Sequence, residues 1–133
     1  MEYQNFRKSV VDGVLDDRVT LNKVIKYVDD LLGEDIIAFY AKNLFNQKQT
    51  ELFYCCSKGI LRVLVNQHNF ICHYNQSKIT TKEIQIPHFS NEEHYLKVTF
   101  ANGDSMELNN IEDSNENWQN DYSKFLKELY LVI

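Results

Sequence analysis

The residues best suited to chemistry crowd into one run, YCCSKGILRVLVNQHNFICHY at 54–74, which holds all three cysteines and two of the four histidines. Cys55, Cys56, His68, Cys72 and His73 are the donor types that zinc takes. Their spacing does not suit a structural zinc knuckle, in which a short turn between two cysteines brings both sulfurs onto one ion. Neighbours in a strand point to opposite faces, so Cys55 diverges from Cys56, and Cys72 from His73. The set that keeps a cross-strand geometry is Cys55, His68 and Cys72. A catalytic thiol needs a base and an electropositive setting to form its thiolate, whereas Phe53, Tyr54, Phe70 and Ile71 flank these cysteines. The expectation is three unpaired thiols acting as small core fillers on two sheet faces, with no metal and no cofactor.

Elsewhere the chemistry is sparse. The four glycines, Gly13, Gly33, Gly59 and Gly103, are too widely separated for a phosphate cradle. The common zinc-protease, serine-hydrolase and calcium-loop patterns are also missing. The acidic pairs Asp16-Asp17, Asp29-Asp30, Glu34-Asp35 and Glu92-Glu93 read as solvated surface at element ends. In IQIPHFSNEEHY, Pro87 interrupts a strand pattern while His88, Phe89, His94 and Tyr95 gather around an acidic pair. Exposed loop aromatics make good anchors for a partner, so these four residues form the candidate interaction surface. The plainer alternative is a strand end with Phe89 tucked into the core.

Hydrophobic spacing supplies the elements that position these residues. Phe6, Val10 and Val14, then Leu21, Val24, Ile25, Val28, Leu31 and Leu32, recur every three or four residues. This predicts helices over 3–15 and 21–32, as a hairpin or one interrupted helix, with Thr20 capping the second start and Gly33 ending it. Gly13 and Asp16-Asp17 are expected to separate the two. Beyond Gly33 the period changes to that of strands near 36–45, 51–57, 60–66, 69–75, 82–88, 95–101 and 104–110. Connections this short imply an antiparallel meander. In FANGDSMEL a two-residue loop would set Val98 against Glu107. A three-residue loop with Gly103 left-handed sets Val98 against Met106 and Leu96 against Leu108, which keeps one face apolar. A final amphipathic helix over about 115–132 carries Trp118, Tyr122, Phe125, Leu129 and Val132 along one stripe, with Asp113, Ser114 and Asn115 at its start.

A chain of 133 residues with 44% hydrophobic content fits a single domain, 1–133, with a core that needs no disulfide. Its net charge of −5 and scattered basic residues argue against nucleic acid and anionic membranes as partners. The charged N-terminal stretch and the lack of a long apolar run lead to an expected cytoplasmic location.

Seven short strands closed by an amphipathic helix resemble the pleckstrin-homology-like domain in the minimal form found in small bacterial proteins. The resemblance spans about 36–132 and rests on the element order, on ELFYCCSKGILRVLV as an early hairpin and on HYLKVTFANGDSMEL as the last. For 34–133 it implies a seven-stranded meander forming a partly open barrel with its C-terminal helix; the helices over 1–33 lie outside that pattern as an N-terminal extension, and the whole is expected to be an α+β fold. It also implies a binding or scaffolding module and not a catalyst. Where lipid-binding members place several basic residues, the loop Asn46-Gln47-Lys48-Gln49 has one lysine.

The expected function is therefore a non-enzymatic binding protein that takes a protein partner through a sheet edge or its N-terminal helices, the latter also offering a homodimer contact. Two alternatives are a small acidic inhibitor, of the toxin-immunity or phage anti-defence kind, and a small enzyme or ligand-binding protein. The latter would use His73, His88 or His94 with nearby carboxylates in a pocket between helix and sheet.

Overall fold

Five consecutive buried residues, Leu52 to Cys56, lie along one strand at the centre of the molecule. A strand buried on both faces needs a layer on each side, and this dictates the architecture. The computed structural model describes residues 1–15 and 18–133. Among them the order is helices α1 (Tyr3–Val11) and α2 (Arg18–Leu32), then strands β1 (Ala38–Lys42), β2 (Glu51–Cys56), β3 (Gly59–Val65) and β4 (Phe70–Asn75). Strands β5 (Ile79–Gln85), β6 (Tyr95–Phe100) and β7 (Ser105–Asn109) follow, then helix α3 (Gln119–Val132).

All strand pairs are antiparallel and sequential, but the meander divides into a four-stranded sheet, β1-β2-β3-β4, and a three-stranded sheet, β5-β6-β7. No closed barrel forms among the described residues. The sheets meet at a corner where Ala101 N donates to Lys78 O at 2.8 Å and Asn102 N to Ser77 Oγ at 3.0 Å. Across the other gap, Lys42 Nζ donates to Glu107 O at 3.1 Å. A lysine placed there occupies a backbone carbonyl on the β7 edge, one way in which sheets blunt their edges.

Side-chain alternation sorts the four-stranded sheet into two cores. Phe39, Leu52, Tyr54, Leu61 and Val63 face the N-terminal helices, where Phe6, Val10, Val24 and Val28 are buried. Rings of Tyr3, Phe6, Phe39 and Tyr54 meet at centroid distances of 4.8 to 5.3 Å. Tyr40, Phe53, Cys55 and Ile60 face the other way, onto Leu96, Val98 and Leu108 of the second sheet and Tyr122, Leu126 and Leu129 of α3. The helices 3–11 and 18–32 therefore pack on the sheet and spend their apolar stripe there.

Helix α3 is fixed at both ends. Lys82 Nζ donates to Tyr130 O at 2.6 Å and Ile133 O at 2.9 Å, placing a cation at the negative end of the helix dipole. Near its start, Trp118 stacks on Phe45 with centroids 4.0 Å apart. The Tyr122 hydroxyl donates to Ala41 O beneath.

The hairpin register follows the three-residue loop: Leu96 pairs Leu108, Val98 pairs Met106, and Gly103 has φ 91°. Gly33 ends α2 with φ 59°. Other expectations need correction. Thr20 lies inside α2, which starts at Arg18, and so is not its cap. The first helix stops at Val11, where Gly13 at φ 73° turns the chain; the Asp16-Asp17 break lies outside the described residues. The fifth strand runs 79–85 and not 82–88, because Ile79-Thr80-Thr81 favours strand while Pro87 lacks the N–H to continue it. The last helix begins at Gln119, since Asn115 Oδ1 accepts Asn117 N at 3.0 Å and Trp118 N at 3.2 Å, turning 115–118 into a separate bend.

Asp113 is the residue most displaced from its expected part. It is buried and accepts Tyr40 Oη–H and Asn109 N–H, both at 2.8 Å, with Lys42 Nζ 3.7 Å away. Burial raises its pKa, opposed by the Asn109 amide, Lys42 and the Tyr40 hydroxyl. A carboxyl whose folded pKa lies above its unfolded one costs stability when ionised, so that cost is relieved as pH falls through the folded pKa. Wild type should thus gain stability relative to Asp113→Asn as pH is lowered toward the ordinary carboxyl range. Urea midpoints of both proteins across acidic pH read the difference.

Candidate functional site

The cysteine segment folds into β2, β3 and β4 and disperses its donors. Cys55 faces the second sheet and α3, while Cys72, paired with Val63, lies on the helix side. His68 is exposed in the turn between β3 and β4. The set Cys55, His68 and Cys72 is therefore not brought together. Cys56 Sγ lies 3.1 Å from Gly59 O and 2.9 Å from Tyr74 Oη. Among the described residues no three His, Cys, Asp or Glu side chains converge as a metal site would require. Burial, reinforced by Cys56, pushes the Cys55 thiol up to about 12, and burial also raises Cys72. A thiol kept protonated is a poor nucleophile. In a thiol-titration assay at neutral pH, Cys55 should stay unreacted in the native protein and react with the other two once urea unfolds it.

A cleft of about 430 Å³ opens between the two sheets, bounded by β1 to β4 on one side and the 104–107 segment on the other. It brings Lys42, Glu51, Arg62, His73, Asp104 and Glu107 to one surface. Register explains the grouping, because Arg62 pairs His73 across β3 and β4, and Glu51 lies one strand further. The guanidinium holds Glu51, with Nε donating to Oε1 at 2.7 Å and a second nitrogen reaching the same oxygen. The Glu51 side chain is only 13% exposed, whereas His73, Asp104 and Glu107 are exposed. The mouth is thus mixed in charge, with its one deeply set carboxylate already engaged.

The loop 86–94 behaves in the opposite way to the plainer sequence reading. Phe89 is 68% exposed and Ile86 57%, with His88 exposed between them. His94, expected on the same surface, is buried at 1% exposure and must be corrected to an anchor. Its N–H donates to Asn110 Oδ1 at 2.7 Å, its carbonyl accepts Asn110 N at 3.3 Å, and its Nδ1 lies 3.1 Å from Glu92 O. Tyr95 is half-buried at the start of β6. Asn110 is itself buried and donates to Gln119 O, so the loop is moored to the start of α3. The sequence holds no signal for this mooring, because His94 and Asn110 become partners only when β6 and β7 pair.

Comparison with protein-family models finds a match over residues 8–124 to a family described as a protein of unknown function, DUF3908. The chain belongs to the DUF3908 family. The DUF3908 match starts inside α1 and ends within α3, so it takes in α2, both sheets, the cleft and the loop 86–94. No curated protein and no solved structure matches the chain. Among the described residues of this DUF3908 protein, no helix is long and apolar enough to cross a membrane.

Proposed function

We propose that this DUF3908 protein is a non-enzymatic binding module that engages a protein partner through the loop 86–94. The observation that carries this reading is the pairing of two exposed apolar side chains, Ile86 and Phe89, with a base moored by the buried His94. Large apolar groups held on a fixed base lose little entropy on binding, which suits them to act as interface anchors. Seven strands followed by a helix, split four and three, support the pleckstrin-homology-like reading, and binding modules of that kind work without catalysis. Dimerisation through the N-terminal helices has less in its favour, since their apolar stripe is already buried against the sheet. The net charge of −5 is compatible with the inhibitor version of this reading, in which the partner is a basic protein.

A photo-crosslinking amino acid placed at position 89, in the cell that makes the protein, tests the proposal. One protein species should be captured reproducibly, and capture from position 88 should disappear in an Ile86→Ser/Phe89→Ser variant that unfolds at the wild-type urea concentration. Equal capture by crosslinkers at Phe89 and at a distant exposed residue such as Lys127 would overturn it.

The cleft beside His73 supports a second reading, a small-molecule site, because Lys42, Glu51, Arg62 and His73 reach one surface from four strands. Its exposure to solvent makes it better suited to binding than to proton transfer, which gains from water exclusion.

A further inference from the structure

Another hollow, of about 630 Å³, lies where the Ser57-Lys58 turn, residues 76–78, β5 and the end of α3 meet. Its floor is apolar, formed by Cys55, Ile60, Ile79 and Phe100, and its rim carries Lys58, Lys78 and Lys82. The chain is net negative, yet no Asp or Glu side chain lines this hollow. Lys82 is committed to the Tyr130 carbonyl of α3 and to the oxygen of Ile133, which also lines the hollow, and lies 4.8 Å from the Tyr130 ring centroid. Lys58 and Lys78 have no carboxylate partner among the described residues. Asp35, which approaches the same turn, is held by Ser57, whose N–H and hydroxyl donate to it at 3.2 and 2.7 Å.

We propose that this hollow binds an anionic amphiphile, a small molecule with an apolar body and a carboxylate or phosphate head. The body would rest on the Ile60 and Phe100 floor, beside the exposed side chains of Ile37 and Val132, which are 57% and 52% exposed. The head would lie between Lys58 and Lys78. The Lys58 and Lys78 ammonium groups, without a carboxylate partner among the described residues, complement this chemistry over an apolar floor, while Lys82 holds the Ile133 oxygen and so leaves a cation little to bind. The volume is in the range of small-molecule sites, and Lys82 neutralises the helix end that would otherwise repel an anion.

Backbone amide NMR titrations with decanoate, decyl phosphate and decyltrimethylammonium, each below its micelle concentration, test the proposal. Both anions should shift amides in 57–60 and 76–82, and whichever binds tighter assigns the head group. A Lys58→Glu/Lys78→Glu variant should bind the anions at least tenfold more weakly while unfolding at the wild-type urea midpoint. Equal binding of the cationic probe, shifts centred on the cleft beside His73 or on the Phe45–Trp118 stack, or unchanged affinity in the folded double variant would each overturn it.

Discussion

Replacing Gly59 by alanine should destabilise the protein by about 3 kcal/mol, the upper end of what overpacking and backbone strain commonly cost. The first atom of the new side chain would lie 2.2 Å from Asn75 O and 2.9 Å from Gln76 Cα. Those are backbone atoms, so no rotamer change relieves the collision, and the β2–β3 turn must separate from the end of β4. The native φ of 152° adds a conformation that side chains rarely adopt. Gly103→Ala provides the control: its φ of 91° is strained, but the added carbon would meet nothing within 4 Å. Denaturant unfolding of both variants should rank Gly59→Ala as clearly the worse. Equal losses would mean that torsion, and not contact, governs the first site.

Leu126→Ala should also cost about 3 kcal/mol, by lost transfer energy and the cavity left among Tyr40, Leu96 and Leu108. Val24→Ala, on the opposite side of the four-stranded sheet, should cost about 2 kcal/mol. These sites sit in separate cores with the sheet between them, so their effects should add. The double variant should still unfold in one transition, because each central strand feeds both cores and neither layer can melt alone. Two resolved transitions by circular dichroism and tryptophan fluorescence would contradict that coupling.

Much of this architecture can be read in particular residues before any coordinates. The Leu96–Leu108 and Val98–Met106 pairings follow from requiring one apolar face around Gly103, a local constraint that tertiary structure does not alter. Element starts are less legible, because they depend on partners distant in sequence. Asp113 has the composition of a helix cap, yet Tyr40, 73 residues away, draws it into the core. The division of the meander into two sheets is likewise hidden, since residues 76–81 read as one more polar break between expected strands. For the candidate surface, the residue types at His88, Phe89, His94 and Tyr95 mark the loop but not its orientation. Phe89 points outward and His94 inward because Asn110, in the turn just past β7, claims the backbone of His94.

The continuous burial of β2 has a consequence for how the chain finds its pairing. In a sheet with one wet face, a one-residue slip puts apolar side chains into water and is rejected at once. Here the same slip would carry Phe53 and Tyr54 from one core into the other, so water is a weak proofreader of the central strand. Selection falls instead on features that tolerate no neighbour: the Gly59 contact with Asn75 and the Glu51–Arg62 ion pair. Variants at these positions should show slow-refolding, misregistered populations out of proportion to their equilibrium stability.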